Sequence, residues 1–318
     1  MDLTLRAAES MLLMVTLFAA AIALRSTRVL NEDHADIFAR AVTQLILPAL
    51  VFSHLARHQI TWEMLEAPGL MLSSCIALML LGYLAGRFVF RLPRPSLGAF
   101  LLCTGFPSAA FLGIALVEIV YPHHGNLEET VLIAEVGVGV PLFILGPLIA
   151  AHFAARGDDD SFSVLRGLLH YLVSPIFIAL LAGFLWGGFA LPTGGNLALD
   201  VLFGACKQLE NGLVPVVGLA LGLMLRPLPV RHLAPLILFV AVAQLLLQPL
   251  YLAGGADMLH LLPEQRDSLM VQGAAPAATL PAIFSRQYGA DSQLAAALIL
   301  ATTLLGIVSI PLVVPWLA

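Results

Sequence analysis

The stretch that decides the fold reads EQRDSLMVQGAAPAATLPAIFSRQYG, from Glu264 to Gly289. It has the length of a membrane-crossing helix, yet Pro276 and Pro281 sit in its middle among Gly273, Ala274, Ala275, Ala277 and Ala278. Proline has no amide hydrogen, so Pro276 leaves the carbonyl of Gln272 without its helical partner, and Pro281 does the same to Ala277. In hydrocarbon such freed groups cost several kcal/mol each unless protein, water or a ligand meets them. A helix broken at mid-membrane is either a packed kink or a binding site. Taken alone this one reads as a kink, because transmembrane helices tolerate proline.

The rest of the chain changes that reading. It is 60% hydrophobic and 11% charged, with mean hydropathy +0.95, which excludes a soluble globular domain. Ten apolar segments of spanning length follow one another, near 8–25, 37–56, 67–88, 96–120, 128–152, 165–190, 198–224, 232–253, 266–286 and 293–316. Ala21-Ile22-Ala23 resembles a signal-cleavage site, but Asp2, Arg6 and Glu9 provide no positive leader, so the first segment is read as a mature helix. Cys75, Cys103 and Cys206 are scattered in apolar stretches at no metal or redox spacing. They read as core thiols, and neither a metal nor a cofactor is expected.

Arginine placement orients the chain. Connections on one side receive Arg25, Arg28, Arg40, Arg87, Arg91, Arg94, Arg156, Arg166, Arg226, Arg231 and Arg286; the other side receives Arg6, Arg57 and Arg266. The majority side is cytoplasmic by the positive-inside rule, so both termini are expected on the non-cytoplasmic side of a cell (inner) membrane. Between Ala155 and Arg166 lies RGDDDSFSVL, the most polar stretch, read as a solvated loop over 156–164 between halves 1–155 and 165–318.

The halves repeat. Pro48 pairs with Pro215, Ala67-Pro68 with Ala234-Pro235, Pro107 with Pro276 and Pro141 with Pro311, at a nearly constant offset. Arg40 and Lys207 precede their prolines by the same distance, as do Gln44 and Asn211. Five segments per half is an odd number, so the second half enters from the opposite face and the repeats are inverted. The breaks at Pro107 and Pro276 then meet at one depth, where transporters of this architecture hold substrate. The expected fold is an all-α membrane protein of two inverted five-helix repeats with broken, crossing segments 4 and 9.

At these residues the chain resembles a known family. Val271-Gln272-Gly273-Ala274-Ala275-Pro276, then Pro281, Phe284, Arg286 and Tyr288, is similar to the ninth span of the auxin efflux carrier (PIN-like) family. DSQLAAALILATTLLGIVSIPLVV resembles that family's last span and YLVSPIFIALLAGFLW its sixth. Pro107-Ser108-Ala109-Ala110-Phe111-Leu112-Gly113 stands where relatives tend to have P-N-T-G-F-L-G, so Ser108 replaces a polar Asn and Ala110 a Gly. The resemblance implies a sodium/proton antiporter-like or bile-acid-symporter-like fold, with a scaffold of segments 1, 2, 6 and 7 and a transport unit of segments 3–5 and 8–10. It implies carriage of small organic anions, auxin in plants and carboxylates such as malonate or malate in some bacteria. The long central loop of the plant proteins is missing, which points to a compact prokaryotic-type member.

The expected site is the crossing itself: Thr104, Gly105, Pro107 and Ser108 from segment 4, with Gln272, Gly273, Pro276 and Thr279 from segment 9. No arginine falls near the middle of a segment, so a buried anion would rest on helix N-termini carrying about +0.5 charge each, helped by the hydroxyls of Ser108 and Thr279. Glu135, deep in segment 5, is the candidate for proton coupling; a carboxylate reaching a watery vestibule is the alternative. Glu118 reads as interfacial. Asp200, Lys207, Glu210 and Asn211 share a face of segment 7 and read as an ion-paired patch. Gln244, Gln248 and Gln272 suit hydrogen bonds to freed carbonyls, and Gly212, Gly218 and Gly222 close helix packing. His123-His124 read as solvated, and His54 with His58 makes no metal site.

The expected function is secondary transport of a small organic anion by alternating access. Alternatives are a non-transporting sensor on a carrier fold or a sodium-coupled bile-acid-type symporter. An intramembrane enzyme lacks support: the chain has no H-E-x-x-H, no G-x-S-x-G and no pair of mid-membrane aspartates. The expected partners are the substrate, the lipid bilayer and a second copy through the scaffold, with no nucleic acid.

Overall fold

The computed structural model describes residues 16–17, 19–57, 65–114, 116–117, 127–154, 173–224 and 230–317. The acidic loop, Glu118, His58, His123, His124, Arg6, Arg156 and Arg166 lie outside the described residues, as does half of the first segment. Apolar runs with few turn-formers give helices, and among the described residues there is no named strand. Five helical stretches are long and apolar enough to cross a membrane: Asp33–Arg57, Glu66–Val89, Ile133–His152, Leu233–Met258 and Ser292–Ile310. These are the second, third, fifth, eighth and tenth expected segments. The sixth contributes the shorter apolar helix Pro175–Gly188, opened by the Ser174 cap, whose hydroxyl accepts the N–H of Phe177.

The fourth, seventh and ninth segments are each interrupted, and proline explains where. The fourth runs as α1 (Arg94–Gly105), then extended backbone, then a π-helical turn Ala109–Gly113. The seventh divides into α2 (Leu197–Asn211) and α3 (Leu213–Met224). Pro215 there removes the bond that the Asn211 carbonyl would accept. The ninth divides into α4 (Pro263–Gly273) and α5 (Leu280–Tyr288). Helix α5 stops at Gly289, whose φ of 89° suits a residue without Cβ. Softer disruptions have the same origin. The π-helical turns Val42–Ile46, Ile133–Gly139 and Ala243–Leu247 contain or adjoin the carbonyls that Pro48, Pro141 and Pro249 leave unpaired.

Packing follows the apolar pattern. On Glu66–Val89, Ile76, Leu80, Leu84 and Phe88 recur every four residues and are all exposed. Met71, Cys75 and Leu78 on the opposite face are buried. An exposed apolar stripe of this regularity suits a hydrocarbon solvent. The buried face meets the fifth segment closely, since a Cβ at Gly137 would lie 2.9 Å from Met71. Gly218 is pressed against Leu17 in the same way, at 2.8 Å, as expected of a packing glycine. The helix Pro175–Gly188 lies along Leu47–Arg57, where Phe52, Trp186 and Phe203 cluster. At the other end of the second segment, Asp36 accepts two bonds from the guanidinium of Arg286, from Nε at 2.6 Å and Nη2 at 3.1 Å.

Candidate functional site

The two interruptions meet. Pro107 and Ala277 form an antiparallel bridge. The Ser108 N–H donates to the Pro276 carbonyl at 2.7 Å, and the Ala278 N–H donates to the Phe106 carbonyl at 2.9 Å. Short extended pieces of two helices thus satisfy each other, as backbone without water must. Side chains complete the pairing. Gln244 donates its Nε2 to the same Phe106 carbonyl at 2.9 Å, and the Thr302 hydroxyl accepts the Ala277 N–H at 3.3 Å. The carbonyl of Gln272, which Pro276 deprives of its helical partner, accepts the Ala275 N–H instead, at 3.2 Å.

Beside this crossing lies a cavity of about 30 Å³. From the fourth segment Pro107, Ser108 and Ala109 line it; from the ninth, Ala278, Thr279 and Leu280; from the fifth, Glu135, Val138, Gly139, Leu142 and Phe143; and from the second, Leu47 and Leu50. The hydroxyls of Ser108 and Thr279 are buried there with no hydrogen-bond partner. Buried polar atoms are nearly always paired, so the two hydroxyls leave hydrogen-bonding capacity unused beside the cavity. The volume suffices for about one water or a carboxylate head.

Of the residues expected at the site, Pro107, Ser108 and Thr279 line the cavity together with Glu135. Pro276 contributes through its carbonyl. Thr104, Gly105, Gln272 and Gly273 are absent from the cavity lining. Thr104 bonds the Phe100 carbonyl and packs at Gly82, Gly105 abuts Met79, and Gly273 abuts Leu252. Gln272 donates to the Thr130 carbonyl and the Ser268 hydroxyl, a structural role. The reason is helix phase: residues one turn before a break point to a neighbouring helix, while those at the break face the gap.

Glu135 is buried, and its Oε1 lies 3.2 Å from Nδ1 of His54. The opposite ring nitrogen, Nε2, lies 3.3 Å from Oε1 of Glu210, which the Lys207 ammonium meets at 3.0 Å. The ion-paired patch expected on the seventh segment therefore exists between Lys207 and Glu210, and it continues inward. Sequence reasoning missed His54, weighed only as a metal ligand. Its spacing from Leu47 and Leu50 puts all three on one helical face, the signal that would have found it. Gly139 makes room for the carboxylate, since a Cβ there would sit 2.9 Å from Glu135 Oε2.

The profile of a family described as "Membrane transport protein" matches residues 7–157 and 161–314, leaving out a few residues at each end and three of the acidic loop. An uncharacterized transporter of Methanocaldococcus jannaschii is 22% identical over 289 residues, covering 89% of this chain and 90% of that protein. Another uncharacterized transporter, from Methanothermobacter thermautotrophicus, is 24% identical over 311 residues, covering 96% of each. The match runs nearly end to end, and the chain belongs to the membrane transport protein family, the auxin efflux carrier-like family that its ninth segment resembles.

Proposed function

We propose that this membrane transporter is a secondary carrier for a small organic anion, built from ten spanning segments in two inverted repeats. The observation that carries the reading is the cavity at the paired interruptions, with two unpartnered hydroxyls from segments related by the repeat. Donors without partners suit an acceptor-rich ligand such as a carboxylate. Repeat symmetry is supported elsewhere: the second segment is π-helical just before Pro48, and the seventh is interrupted just before Pro215. Matching prolines disturb matching helices.

The make-up of the walls supports alternating access. Leu47 and Leu50 belong to the scaffold segment, whereas the remaining lining comes from segments 4, 5 and 9. A cavity with room for a carboxylate head admits a larger anion only when these two groups separate. Glu135 bears on what enters: two negative charges about 4 Å apart repel by about 4 kcal/mol at an effective dielectric of 20. An anion is thus held best when Glu135 is neutralised by a proton or by His54.

Purified protein should be stabilised against heat by one or more of malonate, malate and indole-3-acetate, because binding to the native state raises its melting temperature. Proteoliposomes should then move the stabilising anion. Stabilisation without flux would favour a sensor, and stabilisation by cations alone would sink the anion reading.

A further inference from the structure

The chain of charges that ends on Glu135 crosses the boundary between the two groups expected to move. His54 and Glu210 belong to the second and seventh segments, in the scaffold; Glu135 belongs to the fifth, in the transport unit. Side-chain exposure is 54% at Lys207, about a fifth at both Glu210 (19%) and His54 (22%), and 7% at Glu135. The long stem of Lys207 lets its ammonium reach the interface. The line thus runs from the protein's periphery to its central cavity, with one imidazole bonded on both faces in between.

We propose that His54 is the proton donor to Glu135, and that the transfer occurs as the transport unit draws Glu135 away from the scaffold. The inference rests on the carrier reading above. A buried carboxylate drawn away from its imidazole partner stays ionised only at great cost, and takes a proton instead. In that step the Nδ1–H bond of His54 breaks and an O–H bond forms at Glu135 Oε1. The imidazolium becomes neutral imidazole. It keeps its Nε2–H toward Glu210 and is recharged at the vacated Nδ1 by a proton from water that enters as Glu135 withdraws. One proton is loaded per movement, and Glu135 carries it as a neutral acid past the cavity. Neutralising Glu135 also removes the charge that opposes an entering anion, so proton and anion travel together.

The other titratable groups on the elements around the pair are few. Arg57 shares the helix of His54 and lies over the Phe203 ring, 5.4 Å from its centroid. The seventh segment brings Asp200 and Cys206 besides Lys207 and Glu210; the third brings Glu66, Cys75, Tyr83 and Arg87; in the fifth, Glu128 and Glu129 precede Glu135 and His152 follows it. The helix Pro175–Gly188 and the turn Ala109–Gly113 carry none.

Two measurements test the transfer. The first needs no substrate. In His54→Gln at neutral pH, Glu135 should be protonated, giving the infrared carbonyl band of a carboxylic acid that the double variant His54→Gln with Glu135→Gln lacks. A purified His54→Gln protein without that band overturns the inference. The second uses radiolabelled malonate in proteoliposomes. There His54→Gln should lose malonate uptake driven by a pH gradient by about a hundredfold, the scale of losing a positioned proton donor, and should keep malonate–malonate exchange. Gradient-driven uptake at the wild-type rate overturns the donor role and leaves the carrier reading intact. Wild-type protein that exchanges no malonate counts against malonate as cargo, while the infrared band still decides the pair.

Discussion

The backbone N–H of Ser108 donates to the carbonyl oxygen of Pro276 at 2.7 Å, joining the interruptions of two helices from opposite halves of the chain. Each proline removes a helical bond in its own segment, and the extended backbone beside it finds a partner in the other. The two breaks depend on each other. That mutual dependence leaves the hydroxyls of Ser108 and Thr279 unused by the protein.

Removing those hydroxyls should therefore separate binding from stability. Ser108→Ala and Thr279→Val each delete a hydrogen bond to a charged ligand, worth about 1.5–3 kcal/mol, or roughly ten- to a hundredfold in affinity. The empty protein loses no bond, so its melting temperature should hold or rise. Calorimetric titration with the stabilising anion, beside a thermal melt, reads both quantities. Wild-type affinity in both variants would remove the crossing as the anion site.

Thr302 makes the opposite case. Its hydroxyl accepts the Ala277 N–H at the bridge, and Val would leave that amide buried without a partner. Thr302→Val should cost about 1–3 kcal/mol in stability, seen as a lower melting temperature in detergent. An unchanged melt would mean that the Ala277 amide finds another acceptor.

Glu135→Gln keeps the shape of the side chain and removes its ability to carry a proton. Anion accumulation driven by a pH gradient should disappear. Accumulation at the wild-type rate would take Glu135 out of the coupling and favour a uniporter.

Orientation is testable without transport. Cysteines introduced at Gly157 and Ala318 should react differently with an impermeant thiol reagent on intact cells, the second labelling and the first not. The native thiols Cys75, Cys103 and Cys206 are buried, which keeps the background low. The reverse pattern would overturn the orientation drawn from arginine.

Sequence by itself determined what is local. Spanning segments follow from runs of apolar side chains, and the interruptions in segments 4, 7 and 9 follow from Pro107, Pro215 and Pro276, because a missing amide hydrogen is a covalent fact. That Ser108 and Thr279 lie beside the breaks was legible because the prolines are, and Gln244 was legible as a hydrogen-bond partner for backbone at a break because a buried amide must bond something. What only the tertiary structure decided is rotation and juxtaposition. Gln272 and Thr104 are as close to the breaks in sequence as the lining residues, but helix packing turns them toward Thr130 and Gly82. The contact of His54 with Glu135 and Glu210 joins three segments distant in the chain. No spacing rule encodes it, since the phase of each helix is set by the neighbours against which it packs.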